Sequence, residues 1–305
     1  MKHPSPIATV LQFVIVAISH AIYLDIHVPL PADNCLMTET LRANELLRSY
    51  NGREQVDLFS RHTPHITLFL ADFDLEFNNS DKSVNDDDLA QLNEKKVDSF
   101  LNTISAVNFT HIVEGLDCTL SLSTQSFIED DTDKNQTYYT INGAFTMLNV
   151  LNTLCLKALS NVVLDKVESF VKRPIIVPSW VASLPEPQRS AAIYRSRKYG
   201  SPNVLEGFIP HLTVGFDPLN YNDAALNHHS LKAETMNSYS LPREDAMEQW
   251  NEGFAQLMKG GCSSEVKGIA VGKNGAGGTV LADSRLGYWN VERAEPQDEK
   301  QPVIS

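Results

Sequence analysis

The chain has 305 residues, of which 42% are hydrophobic, and this supplies enough apolar material for one large domain or two smaller units. It carries 25 basic and 38 acidic side chains, a formal net charge of −13. That charge disfavours binding to a long phosphate backbone, but it is compatible with a small phosphorylated ligand or the end of an RNA strand.

The first residues have the pattern of a targeting sequence. Lys2 and His3 precede an apolar run at 7–18, and Ser19-His20-Ala21 places small residues where signal peptidase cleaves. The run is shorter than the ~20 apolar residues that a membrane-spanning helix needs. We therefore predict a signal peptide over 1–21 and a location outside the cell or in an endomembrane lumen. The alternative is a buried first strand or helix of the mature protein.

The cysteines and the glycosylation sequons agree with secretion. Sequons begin at three asparagines: Asn78, Asn108 and Asn135. The four cysteines are even in number, widely spaced and without a C-x-x-C pair: Cys35, Cys118, Cys155 and Cys262. In an oxidising compartment they can form two disulfides, with three possible pairings, whereas the alternative is four buried thiols.

The segment that follows the signal peptide predicts a strand and then a helix. Residues 22–28 alternate apolar and polar side chains, as a half-buried strand does, with Tyr23, Asp25 and His27 on the polar face. His27 is expected at the surface, unless this strand lies beside the first motif described below. Residues 36–50 form an amphipathic pattern that ends at a C-cap signal, which predicts a helix.

The middle of the chain predicts an insertion followed by mixed elements. The acidic stretch 72–88 is read as an inserted surface loop that caps a helix from about 89 to 106. Strands are predicted near 109–122 and 138–145, and apolar residues at helical spacing over 147–167 predict core packing. Residues 174–187 are irregular and suit a linker.

A helix just upstream of the second motif holds the only concentrated positive charge in the sequence: Arg189, Arg195, Arg197 and Lys198. Arginine forks suit phosphate oxygens, so Arg195 and Arg197 are candidate substrate-binding residues. Exposed basic residues on a helix also serve simply to solvate it.

Beyond the second motif, a helix is predicted over 242–259 and a hairpin turn at Asn274-Gly275. The glycine-rich surroundings of this turn do not match a phosphate-binding loop. Residues 292–305 are predicted to be a disordered tail.

The sequence contains one short pattern twice. The first copy is Pro64-His65-Ile66-Thr67-Leu68-Phe69 and the second is Pro210-His211-Leu212-Thr213-Val214-Gly215-Phe216. Both are rich in strand-forming residues, and proline fits the first position of a strand. Because residues i and i+2 of a strand point to one face, each copy presents an imidazole and a hydroxyl on the same side.

This pair of His-x-Thr motifs resembles those of the two-histidine phosphoesterase superfamily, which includes RNA-ligase-like proteins and 2′,3′-cyclic nucleotide phosphodiesterases. The resemblance is specific at His65, Thr67, His211 and Thr213. It implies an α+β fold over 22–291, bilobal, with two pseudo-symmetric lobes whose sheets face a central cleft. The four motif residues would be catalytic, and Phe69 would contact the substrate.

In such a site one neutral imidazole removes a proton from water and the other, protonated, supplies one to the leaving oxygen, with no metal or other cofactor. We therefore expect a monomeric phosphodiesterase acting on small phosphorylated ligands, without long nucleic acid as a partner and without stable membrane insertion. A zinc site is disfavoured because neither motif has a second ligand nearby in sequence. The alternatives are a non-catalytic nucleotide-binding member of the same fold and an unrelated secreted interaction protein.

Overall fold

Antiparallel sheets flanked by helices make up the structure, a computed structural model that describes residues 22–50, 52–76, 86–124, 137–218 and 237–291. The largest sheet has the strand order β2-β10-β9-β1-β3, and every pairing in it is antiparallel. Its strands are β1 (Ile22–Pro29), β2 (His62–Thr63), β3 (His65–Phe73), β9 (Gly268–Asn274) and β10 (Val280–Asn290). The predicted α+β class is thus confirmed, and the first motif lies on a strand at the end of this sheet.

The second motif lies on a different sheet. This sheet has the order β5-β6-β7 and is also antiparallel, and it consists of β5 (Tyr139–Asn142), β6 (Phe145–Asn149) and β7 (His211–Phe216). A third, two-stranded sheet pairs β4 (Thr119–Ser121) with β8 (Ser263–Glu265). Both motifs therefore lie on strands, as predicted, and each of these strands is terminal in the order of its sheet.

Two of the α-helices, α1 and α4, cover the motif strands. The α-helices in the described residues are α1 (Cys35–Tyr50), α2 (Asp86–Ser105), α3 (Phe109–Val113), α4 (Leu154–Val167), α5 (Gln188–Tyr199) and α6 (Asn237–Met258). Helix α1 packs on β7 and α6, and α4 packs on β3. Helix α4 begins where the Thr153 side chain accepts a hydrogen bond from the Leu156 N–H, and α5 ends at Gly200, whose φ of 90° suits glycine.

Aromatic packing and a buried ion pair hold α6 against the rest of the fold. Trp250 and Phe254 stack at 4.9 Å, and both are fully buried. The side chains of Arg243 and Glu54 are also fully buried, with Arg243 Nε 2.9 Å from a carboxylate oxygen of Glu54. The other carboxylate oxygen accepts a hydrogen bond of 2.7 Å from the backbone of Phe216. Glu54 thereby links α6 to the end of the second motif strand.

All four cysteines are paired, as predicted. The disulfides are Cys35–Cys262, which joins the start of α1 to the region before β8, and Cys118–Cys155, which joins the region before β4 to α4. Within the described ranges, no helix is both long enough and apolar enough to cross a membrane.

The strand predicted over 109–122 is partly wrong. Residues Phe109–Val113 form α3, and only Thr119–Ser121 form a strand. The helix begins because the Asn108 side chain accepts a hydrogen bond of 3.1 Å from the His111 N–H, an N-cap that outweighs the β propensity of the residues after it. Similarly, Met147 lies on β6, and the predicted helical stripe begins only at Leu154.

The acidic insertion is shorter than predicted, because β3 continues to Phe73 and α2 begins at Asp86. The predicted signal peptide, the tail over 292–305, residues 77–85 of the insertion and the sequons at Asn78 and Asn135 lie outside the described residues. The third sequon asparagine, Asn108, is exposed.

Candidate active site

The two motif strands lie side by side although they belong to different sheets. Parts of β3 and β7 approach each other with Cα–Cα distances of 8 Å or less, and no backbone ladder joins them. His65 is almost fully buried, with 5% of its surface exposed, and His211 is partly exposed. The charges of His65 and Asp25 both act on the titration of His211, which indicates that the two histidines share one environment.

Each motif histidine is held by the backbone in the same way. Nδ1 of His65 lies 2.7 Å from the carbonyl oxygen of Thr63, and Nδ1 of His211 lies 2.9 Å from that of Ile209. In both cases the carbonyl belongs to the residue two positions earlier. A carbonyl can only accept, so both rings carry a proton on Nδ1, and Nε2 is left to gain or lose the second proton.

The strand geometry after each motif is also the same. The β1–β3 register shifts so that Leu68 is an extra residue, and the β6–β7 register shifts so that Val214 is an extra residue. Each bulge directly follows the motif threonine. A bulge reverses the alternation of side chains, so residues beyond it turn to the opposite face from the one expected.

Polar side chains from the covering helices satisfy both bulges. Ser160 of α4 donates a hydrogen bond of 2.9 Å to the carbonyl oxygen of Leu68, and Asn44 of α1 donates one of 2.8 Å to that of Val214. All these groups are buried, and a buried carbonyl without a partner is costly. The two motifs thus have matching local surroundings, although the sequences around them differ.

Within the described residues, the threonine of the first motif has a carboxylate partner and that of the second does not. The Thr67 hydroxyl donates a hydrogen bond of 2.7 Å to Oδ2 of Asp25 on β1, and Nε2 of His65 lies 3.4 Å from the same oxygen. Asp25 is fully buried, and its Oδ1 accepts no hydrogen bond within the described residues. The hydroxyl proton of Thr67 is therefore already donated to Asp25. Thr213 is partly exposed, and its hydroxyl has no hydrogen-bond partner in the described part of the chain.

His27 is not at the surface, because β1 pairs with the first motif strand, which was the stated alternative. Its side chain is 3% exposed, and its ring centroid is 4.8 Å from that of His65. Strand β1 lies between β9 and β3, and Asp25 and His27 on its polar face are buried, whereas Tyr23 on the same face is 39% exposed. Nδ1 of His27 is 3.2 Å from the backbone oxygen of Asp25 and 3.5 Å from its carboxylate. The alternation at Tyr23, Asp25 and His27 was the sequence signal for these neighbours.

The buried carboxylate changes the titration of His65. Burial acts to lower the pKa of the His65 imidazole, but the Asp25 charge, with backbone hydrogen bonds to Thr63 and Gly278, raises that pKa above its ordinary value. Burial acts to raise the pKa of the Asp25 carboxyl, yet His65 and His27 hold it below its ordinary value. The two shifts agree in favouring a charged pair.

His211 titrates in the opposite direction. Burial lowers the pKa of its imidazole, the hydrogen bond to the Ile209 backbone opposes that effect, and the charge of His65 adds to it. The pKa of His65 is therefore raised and that of His211 lowered, which favours the second proton on His65. Such a pair can supply one acid and one base to the same substrate.

The glycine-rich connection between β9 and β10 borders this site. Gly278 forms the backbone hydrogen bond to His65, and Gly277 packs against Phe216, where an added Cβ would lie 2.6 Å from the Phe216 side chain. Gly277 also has a φ of 63°, so a side chain is excluded twice. Phe216 and Phe145 are partly exposed, with ring centroids 5.1 Å apart.

Phe69, predicted to contact the substrate, lies instead in the core. It is 1% exposed and packs edge-on against Phe73 at 5.9 Å. The bulge at Leu68 is the reason, because without it Phe69 would share a face with His65 and Thr67. We do not include Phe69 among the residues of the site.

The two arginines predicted to bind phosphate have other contacts. Arg195 donates a hydrogen bond of 2.7 Å to the Pro202 carbonyl and lies 3.1 Å from the Glu206 carboxylate. Arg197 is exposed, and its carbonyl accepts a hydrogen bond from Arg173. Within the described chain, no hydrogen bond or ion pair joins either arginine to the four motif residues.

No group of three or more His, Cys, Asp or Glu side chains in the described ranges is arranged to hold a metal ion. Comparison with protein-family models and with curated proteins finds no match to this chain.

Proposed function

We propose that this protein is a two-histidine phosphoesterase that hydrolyses cyclic phosphodiesters, such as 2′,3′-cyclic nucleotides or a cyclic phosphate at an RNA end. The observation that supports it most strongly is the pair of adjacent strands that hold His65-x-Thr67 and His211-x-Thr213 with matching hydrogen bonds and matching bulges. The matching bulges distinguish the pair most clearly, because His27 on β1 also places Nδ1 near the carbonyl oxygen two positions earlier.

The proposed architecture is bilobal. One lobe consists of β1, α1 and β3, the other of β6, α4 and β7, and a pseudo-two-fold axis relates them. The helix packing supports this arrangement, because the helix of each lobe covers the motif strand of the other lobe: α1 covers β7 and α4 covers β3. The two motif faces would then line one cleft at the junction of the lobes.

In the proposed reaction a neutral imidazole removes a proton from water, and the water oxygen attacks phosphorus. The P–O bond to the ribose breaks, and the protonated imidazole gives its Nε2 proton to the leaving oxygen. Each positioned acid or base contributes roughly 10²–10⁴-fold to the rate. The Thr213 hydroxyl donates to a non-bridging oxygen, where negative charge grows in the transition state.

A small, partly apolar substrate fits the surroundings. Phe216 and Phe145 offer partly exposed rings beside the second motif, and base–aromatic stacking is worth about 1–3 kcal/mol. The net charge of −13 favours a single phosphodiester over an extended strand. Two disulfides support a secreted or lumenal location, and we expect the enzyme to act as a monomer.

The test is turnover of a panel of cyclic nucleotides by the purified protein in a chelating buffer. We expect hydrolysis of at least one 2′,3′-cyclic nucleotide, and loss of about 10²–10⁴-fold in kcat on His211→Ala. His111→Ala is the matched control, because His111 is 75% exposed on α3. Nucleotide binding without turnover would instead support the non-catalytic alternative.

A further inference from the structure

The two motifs differ at the position that pairs with the fifth residue after the motif histidine. On β1, Asp25 pairs with Leu70, the fifth residue after His65, and on β6, Phe145 pairs with Phe216, the fifth residue after His211. Asp25 thus occupies the position that a phenylalanine occupies at the second motif. The buried Asp25 carboxylate lies 3.4 Å from Nε2 of His65.

We propose that Asp25 is a positioning residue that keeps a proton on His65, which makes His65 the general acid and leaves His211 as the general base. This assignment rests on the proposed function. It also gives Thr67 a role different from that of Thr213, because the Thr67 hydroxyl fixes the Asp25 carboxylate and is not available to donate to a phosphate.

The hydrogen-bond geometry allows His65 to release its proton. Nδ1 is committed to the Thr63 carbonyl, so the transferable proton is on Nε2. Nε2 lies 3.4 Å from Asp25 Oδ2 and 3.3 Å from the Thr67 hydroxyl oxygen, and both distances exceed that of a good N–H···O hydrogen bond, so the attraction to Asp25 is mainly electrostatic. The Nε2–H bond breaks as the leaving oxygen gains the proton, and His211 gains one from water. Exchange with solvent then restores both rings.

Asp25 is the only anion that faces His65 from the described elements around it. The other titratable neighbours are His27 on β1, His62 on β2 and His211 on β7. Burial lowers the pKa of both His27 and His62, so neither competes with His65 for the proton. Removing the Asp25 charge therefore removes the main reason for His65 to stay protonated.

The first test is an NMR titration of the imidazoles in the wild type and in Asp25→Asn. We expect His65 to titrate above His211 in the wild type, and the pKa of His65 to fall in the variant. In a rate profile, the base sets the acidic limb and the acid sets the alkaline limb. The alkaline limb should therefore move to lower pH. At pH values above this limb, each pH unit of movement lowers the activity tenfold.

Two variants keep this test interpretable. Asp283→Asn is the matched control, because Asp283 is exposed in the same sheet and should leave both limbs unchanged. Thr67→Val removes the donor to Asp25 but keeps the carboxylate, so it provides a second perturbation if Asp25→Asn folds poorly. A His65 titration that is unaffected by Asp25→Asn, with the protein folded, would overturn the proposal.

The second test assigns acid and base directly. In cyclic nucleotides whose leaving oxygen is replaced by sulfur, one analogue for each ring position, the leaving thiolate needs no proton. We expect His65→Ala to regain most of its lost activity on the sulfur analogue and His211→Ala to regain none. The reverse pattern would overturn the assignment. Absence of turnover of every cyclic phosphate, with a normal His65 response to Asp25→Asn, would instead refute the proposed function.

Discussion

The two motif threonines provide a sharp test, because they occupy equivalent positions but have different partners. We predict that Thr213→Val lowers activity and leaves stability unchanged, whereas Thr67→Val lowers both. Valine keeps the shape of threonine and removes only the hydroxyl. The Thr213 hydroxyl is unpaired within the described chain, while the Thr67 hydroxyl donates 2.7 Å to the buried carboxylate of Asp25.

The expected magnitudes follow from these partners. A hydrogen bond to a charged group is worth about 1.5–3 kcal/mol. For Thr213 that bond forms only with bound phosphate, so its loss should reduce kcat/KM by about 10- to 150-fold. For Thr67 the bond exists in the free protein, so its loss should lower the free energy of unfolding by about 1.5–3 kcal/mol.

The assay combines urea unfolding with steady-state hydrolysis of the best cyclic nucleotide. Thr38→Val serves as the control, because Thr38 is exposed on α1. Equal losses of stability in Thr67→Val and Thr213→Val would refute the reasoning, since it depends on Asp25 being present at one motif only. So would a Thr213→Val enzyme with unchanged kcat/KM.

Three further predictions concern stability. Cys262→Ser breaks the disulfide to Cys35 and should lower the free energy of unfolding by about 5 kcal/mol on the chain-entropy model, measurable by denaturant titration. Glu54→Gln leaves the fully buried Arg243 without its carboxylate and should cost about 3–5 kcal/mol in the same experiment, and a neutral effect would contradict that role. Gly277→Ala should destabilise the protein and reduce turnover together, because the added Cβ meets the neighbouring aromatic side chain at 2.6 Å.

Local patterns in the sequence were sufficient to predict the strands and helices that carry the motifs. The two His-x-Thr repeats lie on strands and 36–50 is helical, as their residue patterns predict. The basic segment before His211 is also a helix, and it ends at Gly200. The α3 segment was missed because a single N-cap at Asn108 decided between helix and strand.

The surroundings of the site depend on contacts that no local pattern records. Phe69 continues the alternation of His65 and Thr67, and only the bulge turns it to the core. Asp25 stands on a recognisable polar face, but its meeting with His65 depends on the pairing of β1 with β3. Gly277 and Gly278, which border the site, come from a connection more than 200 residues after His65 in the chain.

The most direct test of the central claim is a double-mutant cycle on cyclic phosphate hydrolysis, with His65→Ala, His211→Ala and the double variant in EDTA. If the two imidazoles act as one acid–base pair, wild-type turnover should persist in the chelator. Each single variant should lose about 10²–10⁴-fold in the rate of hydrolysis, and the double variant should be little slower than the less active single variant. Losses that multiply, or turnover abolished by EDTA and restored by a divalent ion, would contradict the claim.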